Sequence, residues 1–156
     1  MDRFIAVIVC VLASLGGGAR QQMLWQADLQ IRSLTVSEAN GKLTARVVVS
    51  AEIGEALAAR VEVLLPVGVG IVTLGSGCVA GPNATGISAL RARVECTLGN
   101  MPARTSREFF VVTTAPPTGV ARGFAVVAMS DTPDPKPGNN FAERILPQDH
   151  ESESRR

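Results

Sequence analysis

The chain has 156 residues, 46% of them hydrophobic and 19% charged, which is the composition of one packed domain rather than of a disordered segment. Fifteen Lys+Arg against fourteen Asp+Glu leave a net charge of +1, without the basic excess that phosphate neutralisation requires, so no nucleic-acid partner is expected. One His, one Trp and no Tyr leave little for imidazole catalysis or aromatic base stacking.

The N-terminus reads as an address. An almost unbroken apolar run extends from Phe4 to Leu15, behind Arg3 and ahead of three glycines. A spanning helix needs about 20 apolar residues, so this run is too short to cross and fits a secretory core instead. Small residues at Gly17 and Ala19 place cleavage after Ala19. Residues 1–19 are therefore read as a signal peptide, 20–26 as an N-terminal extension, 27–146 as one domain and 147–156 as a polar, disordered tail. An uncleaved anchor or a buried strand is the alternative. The expected location is extracytoplasmic (periplasmic, secreted or cell-surface), with no stable membrane span once the signal is removed.

Cysteine usage agrees with export. Cys10 leaves with the signal, and Cys78 and Cys96 remain. Their spacing matches neither paired C-x-x-C zinc ligands nor a redox C-x-x-C motif. They are read as a structural disulfide, worth about 3 kcal/mol for a loop of this length. Two buried free thiols are the other reading.

From residue 29 onward, period-two patterns dominate, and sixteen of the chain's nineteen valines lie there and favour pleated sheet. Leu29, Ile31 and Ser33 are assigned to one face of a first strand. Asn40-Gly41 marks a hairpin, after which Leu43, Ala45, Val47, Val49 and Ala51 point one way. A short helical turn is expected over 55–59, then a strand over 60–65 with Val61, Val63 and Leu65 inward. Residues 69–74 continue extended, and 75–86 form a loop carrying Cys78. In 87–98, Ala92, Val94, Cys96 and Leu98 face inward until Gly99 and Pro102 break the strand. Residues 108–114 and 123–130, apolar on both faces, suit central strands. A turn over 131–140 leads to a closing strand over 141–146. The total is seven or eight strands, spaced as in an all-β sandwich.

Several segments resemble a known family. Ala27-Asp28-Leu29 matches its start, Val61-Glu62-Val63-Leu64-Leu65-Pro66-Val67-Gly68 its "V-x-V-x-(D/L)-x-L-P-x-G" strand and turn, and Val94-Glu95-Cys96-Thr97-Leu98-Gly99 its "V-x-C-x-L-G" strand. Asp134-Pro135-Lys136-Pro137-Gly138-Asn139-Asn140 is similar to its C-terminal "D-P-N-P-G-N-N" turn. The chain thereby resembles the immunoglobulin-like repeat of bacterial cell-surface proteins, a conserved domain of unknown function, and is similar to the cell-adhesion-related domain found in bacteria. The resemblance covers roughly 27–146. It implies an immunoglobulin-like antiparallel β-sandwich, Cys78 in the place of the partner cysteine, and a non-catalytic extracytoplasmic role. Leu43 and Ala45 stand where the family usually has an aromatic, and Glu52-Ile53-Gly54-Glu55 replaces its "N-x-G-P".

Few residues suggest chemistry. Asp131, Asp134, Asn139 and Asn140 form an oxygen-rich turn that would supply half a calcium shell, but no Asp-x-Asp-x-Asp-Gly pattern is present, and Asx turns are the commoner use of such residues. Asn83 opens a loop sequon, and Trp25 stands before the first strand; both are candidate interaction residues. His150 lies in the tail, and no G-x-S-x-G elbow occurs, so neither an enzyme nor a cofactor is expected. A basic stripe through Arg91, Arg93, Arg104 and Arg107 is read as a solvated strand face. The expected function is a structural or protein-interaction scaffold whose partner is a protein or a cell-surface polysaccharide. The alternatives are a carbohydrate-binding or calcium-dependent adhesion module, and a periplasmic chaperone working by β-strand addition, which predicts a long uncharged edge strand.

Overall fold

A computed structural model describes residues 26–81, 92–117 and 119–147. Among these residues are nine strands: β1 (Leu29–Ala39), β2 (Lys42–Ala51), β3 (Ala56–Leu64), β4 (Ile71–Leu74), β5 (Cys78–Ala80), β6 (Arg93–Met101), β7 (Thr105–Thr114), β8 (Arg122–Met129) and β9 (Phe141–Leu146). They form two antiparallel sheets, ordered β1-β2-β7-β4 and β5-β6-β3-β8-β9. Among the described residues no helix is long and apolar enough to cross a membrane.

The core follows directly from the alternation. Leu43, Ala45, Val47, Val49 and Ala51 of β2 are all fully buried, as are Val63, Leu65 and Val94, with Val61 and Cys96 almost so. Branched side chains at every second position can meet only if two such faces close on each other, which is why two sheets stack. β7 and β8, apolar on both faces, lie inside their sheets, between β2 and β4 and between β3 and β9.

The extra strands come from the stretch read as extended chain and loop. After β3 the chain crosses to the other sheet, where β4 pairs with β7. It then returns as β5, a three-residue strand inside the expected 75–86 loop, which pairs with β6. Three other local expectations change for the same reason, a bulge. The register shifts between Ile31 and Ser33, so Leu34 and Val36 pack on the core and Ser33 faces out. The 55–59 segment is the bulged start of β3, not a helical turn; Ala56 and Ala59 are buried, and Ala58 sits at φ +48° with its N–H donated to Asn100 Oδ1. Opposite it, β6 runs through Gly99 (φ +70°) to the buried Met101 instead of breaking. Each bulge inserts one unpaired residue, which a strict alternation count cannot contain.

Cys78 and Cys96 form the disulfide, with sulfurs 2.05 Å apart. They are direct cross-strand neighbours in one sheet rather than a bridge between layers. Cys96 lies in the core and Cys78 at its rim. A three-residue edge strand has too few ladder bonds to hold itself, and the cross-link ties it down. The Cys78→Ala/Cys96→Ala double variant is expected to lose about 2–4 kcal/mol of unfolding free energy, read from urea denaturation of the oxidised parent beside the variant.

Candidate functional site

The polar residues of the described chain converge where β1 begins and where β8 turns into β9. The chain enters beside that turn: Ala27 N–H donates to Pro133 O at 3.1 Å, and Asp28 N–H to Ile53 O at 2.9 Å. Gly54, at φ +67°, passes so close to the carbonyl of Gln26 that no Cβ fits between them.

Two carboxylates then receive five donors. Asp134 Oδ1 accepts Lys136 N–H at 2.7 Å, closing an Asx-type turn; its Oδ2 accepts Leu29 N–H at 2.9 Å and Asn140 Nδ2 at 3.0 Å. Asp28 accepts Asn139 Nδ2 at 2.7 Å and Lys136 Nζ at 2.9 Å. Its side chain is 4% exposed while that of Lys136 is 65% exposed, so the ion pair itself is worth little and the amide bond holds the carboxylate. Pro135 and Pro137 stiffen the loop, which ends in a 3₁₀ turn over Pro137–Asn140.

These contacts set the electrostatics. The hydrogen bond from Asn139, followed by that from Lys136, holds Asp28 below the usual carboxylate range despite the opposing effect of burial. Lys136 is raised in return, first by its bond to Asp28. Glu52 is also lowered, by hydrogen bonds from Ser50 and then Gln30.

The proposed calcium set is divided by the fold. Asp134, Asn139 and Asn140 belong to this clasp, and the two amides present N–H groups rather than oxygens to the carboxylates. Asp131 takes no part in the clasp and pairs with Arg60 at 3.1 Å. Among the described residues no three His, Cys, Asp or Glu side chains are grouped to hold a metal ion. Sequence reasoning missed Asp28 and Lys136 as partners of the turn. The signal was present in Ala27-Asp28-Leu29, since an acid between two residues destined for burial must find donors. Trp25 and Asn83 lie outside the described residues, as do Arg91 and His150. Arg93 stands on β6 between Glu62 (3.5 Å) and Glu95 (3.6 Å), while Arg107 lies on β7 in the other sheet, so the expected basic stripe is divided.

Beside the clasp is a groove of about 310 Å³, lined by the segment Met129–Asp134 together with Asn140. On the outer face of the five-stranded sheet, Phe141 lies across from Val127 and Ile145 across from Gly123. Phe141 is 54% and Ile145 64% exposed. The long uncharged edge that strand capture demands is not found among the described strands. β1 carries Arg32 and Glu38, β9 carries Glu143 and Arg144, and β4 and β5 have only four and three residues.

No protein-family model matches the chain, and no curated protein matches it. Among solved structures it is similar to the chitin-binding domain of a chitinase from Pyrococcus furiosus, with 12% identity, 69% of this chain and 96% of that one covered, and a TM-score of 0.43. It is also similar to the chitin-binding domain of Chi18aC from Streptomyces coelicolor, with 12% identity, 69% and 93% covered, and a TM-score of 0.41.

The clasp is expected to make the fold acid-labile. Because the folded pKa of Asp28 is depressed, its contribution is complete above the unfolded carboxylate value and disappears as pH falls through the folded one. Unfolding free energy is expected to decline below about pH 4. Asp28→Asn is expected to cost about 1–3 kcal/mol at neutral pH and to flatten that acid limb, both read from denaturant melts across pH 2–7.

Proposed function

We propose that the chain is an exported, non-catalytic module of immunoglobulin-like build that presents a rigid β surface to a partner at the cell surface or in the periplasm. The observation that carries the reading is the pair Phe141 and Ile145, left in water on one face of a strand that the β8 ladder holds in place. Apolar side chains on a fixed sheet face cost solubility and give contact area to whatever covers them. The immunoglobulin-like assignment is supported by strand order, with β1-β2-β7 opposite β6-β3-β8-β9, and β4 and β5 forming an inserted excursion. Export is supported by the disulfide, which persists in oxidising compartments.

The test uses the exported chain as bait in an extracytoplasmic fraction, beside the Phe141→Ser/Ile145→Ser variant. Both side chains are exposed, so stability is expected to change by less than about 0.5 kcal/mol while the captured species is lost. Equal capture by both proteins sinks this surface as the contact.

A second reading, carbohydrate binding, is favoured by the groove of Met129–Asp134 and Asn140, which the exposed Phe141 follows directly in the chain. Its calcium-dependent form is not, because the turn carboxylates already accept internal donors. Millimolar calcium is expected to leave the melting temperature unchanged, and a clear rise would restore the ion.

A further inference from the structure

The end of the sandwich where the chain enters carries apolar surface that no described residue covers. Ile53, in the connection from β2 to β3, is 57% exposed, and Leu57, at the start of β3, is 39% exposed. The β6–β7 turn lies beside this connection, since Arg104 N–H donates to Ala51 O at 2.6 Å, and it adds exposed Pro102 and Ala103. Glu55 stands between the two apolar residues in the chain, and its carboxylate has no ion-pair partner among the described residues.

The entering strand is fixed against the same connection. Asp28 N–H donates to Ile53 O at 2.9 Å, and Gly54, in the left-handed region, lies against the carbonyl of Gln26. A Cβ at position 54 would push the two segments apart, so the glycine sets their approach. Immediately before Gln26 stand Met23, Leu24 and Trp25, three large apolar side chains, preceded by Arg20 and two glutamines and by no acid. Consecutive Cα atoms are about 3.8 Å apart, so the Trp25 side chain starts one step from Gln26 and has Ile53 within reach. A covered indole buries roughly 150–250 Å², enough to shield a side chain of that size.

We infer that segment 20–25 folds back on the β2–β3 connection, with the Trp25 ring seated on Ile53 beside Leu57, and closes that end of the sandwich. The occupant is the chain's own segment because its point of entry is tied next to the patch. Charge agrees, since Arg20 approaches an end that carries Glu52 and Glu55. A tethered segment also acts at a high effective concentration, ahead of any free partner. Trp25 is thereby withdrawn from partner contact, and the exposed face of β9 is a separate surface.

Trp25 is the chain's single tryptophan, so its fluorescence reports this contact alone. The exported chain is measured in its native state and in guanidinium, by emission maximum and by acrylamide quenching. The native maximum is expected at shorter wavelength than the unfolded one, with markedly weaker quenching. Ile53→Ser is expected to move both values toward those of the unfolded chain and Ile53→Leu to keep them. Phe141→Ser/Ile145→Ser is expected to leave them unchanged, and circular dichroism checks that each variant keeps its sheets. Native emission and quenching equal to those of the unfolded chain overturn the proposal, and this comparison needs no variant. A native shift that the folded Ile53→Ser variant retains overturns it as well. A shift that appears only as protein concentration rises assigns the patch to a second copy and has the same consequence.

Discussion

The fold depends on a clasp between the start of the first strand and the last turn. β1 belongs to one sheet and β9 to the other, so no ladder of hydrogen bonds joins them. The join is made by Asp28 and Asp134, which take donors from Leu29, Lys136, Asn139 and Asn140. A carboxylate covered on this scale is tolerated only when its oxygens are saturated, and five donors for two groups achieve that. The arrangement has a visible cost. Turning the amide N–H groups of Asn139 and Asn140 inward leaves both Oδ1 atoms buried without a partner. Charge-assisted bonds are roughly twice as strong as neutral ones, so the exchange favours the clasp.

The disulfide solves a different problem at the other edge. β5 has three residues and β9 has six, so the five-stranded sheet is weakest at β5. The Cys78–Cys96 bond fixes that edge covalently, and the β8 ladder with the clasp fixes the other. A scaffold held at both edges can leave Phe141 and Ile145 exposed without the strand rearranging to bury them. The rigidity and the exposed face therefore belong together.

Strand interiors were legible from the sequence, while irregularities and long-range pairs were not. The buried face of β2 and the inward positions of β3 and β6 follow from period two alone. Ser33, the 55–59 segment and the continuation past Gly99 were misread because bulges shift the register by one without leaving a composition signal. The oxygen-rich turn over 131–140 was recognisable as polar, yet its division into Asp131 with Arg60, Asn139 with Asp28 and Asn140 with Asp134 was not. Asp28 and Asn139 are 111 residues apart, and only packing tells which acid faces which amide.

The amino-acid sequence by itself determined an all-β chain, its main core positions and the cysteine pair, because alternation, turn residues and cysteine parity are local or countable properties. Tertiary structure alone decided which strands share a sheet, that the disulfide lies within one sheet, and that Phe141 stands in water. Those outcomes depend on strand order and register, which are set by the closing of two sheets on each other rather than by any single segment.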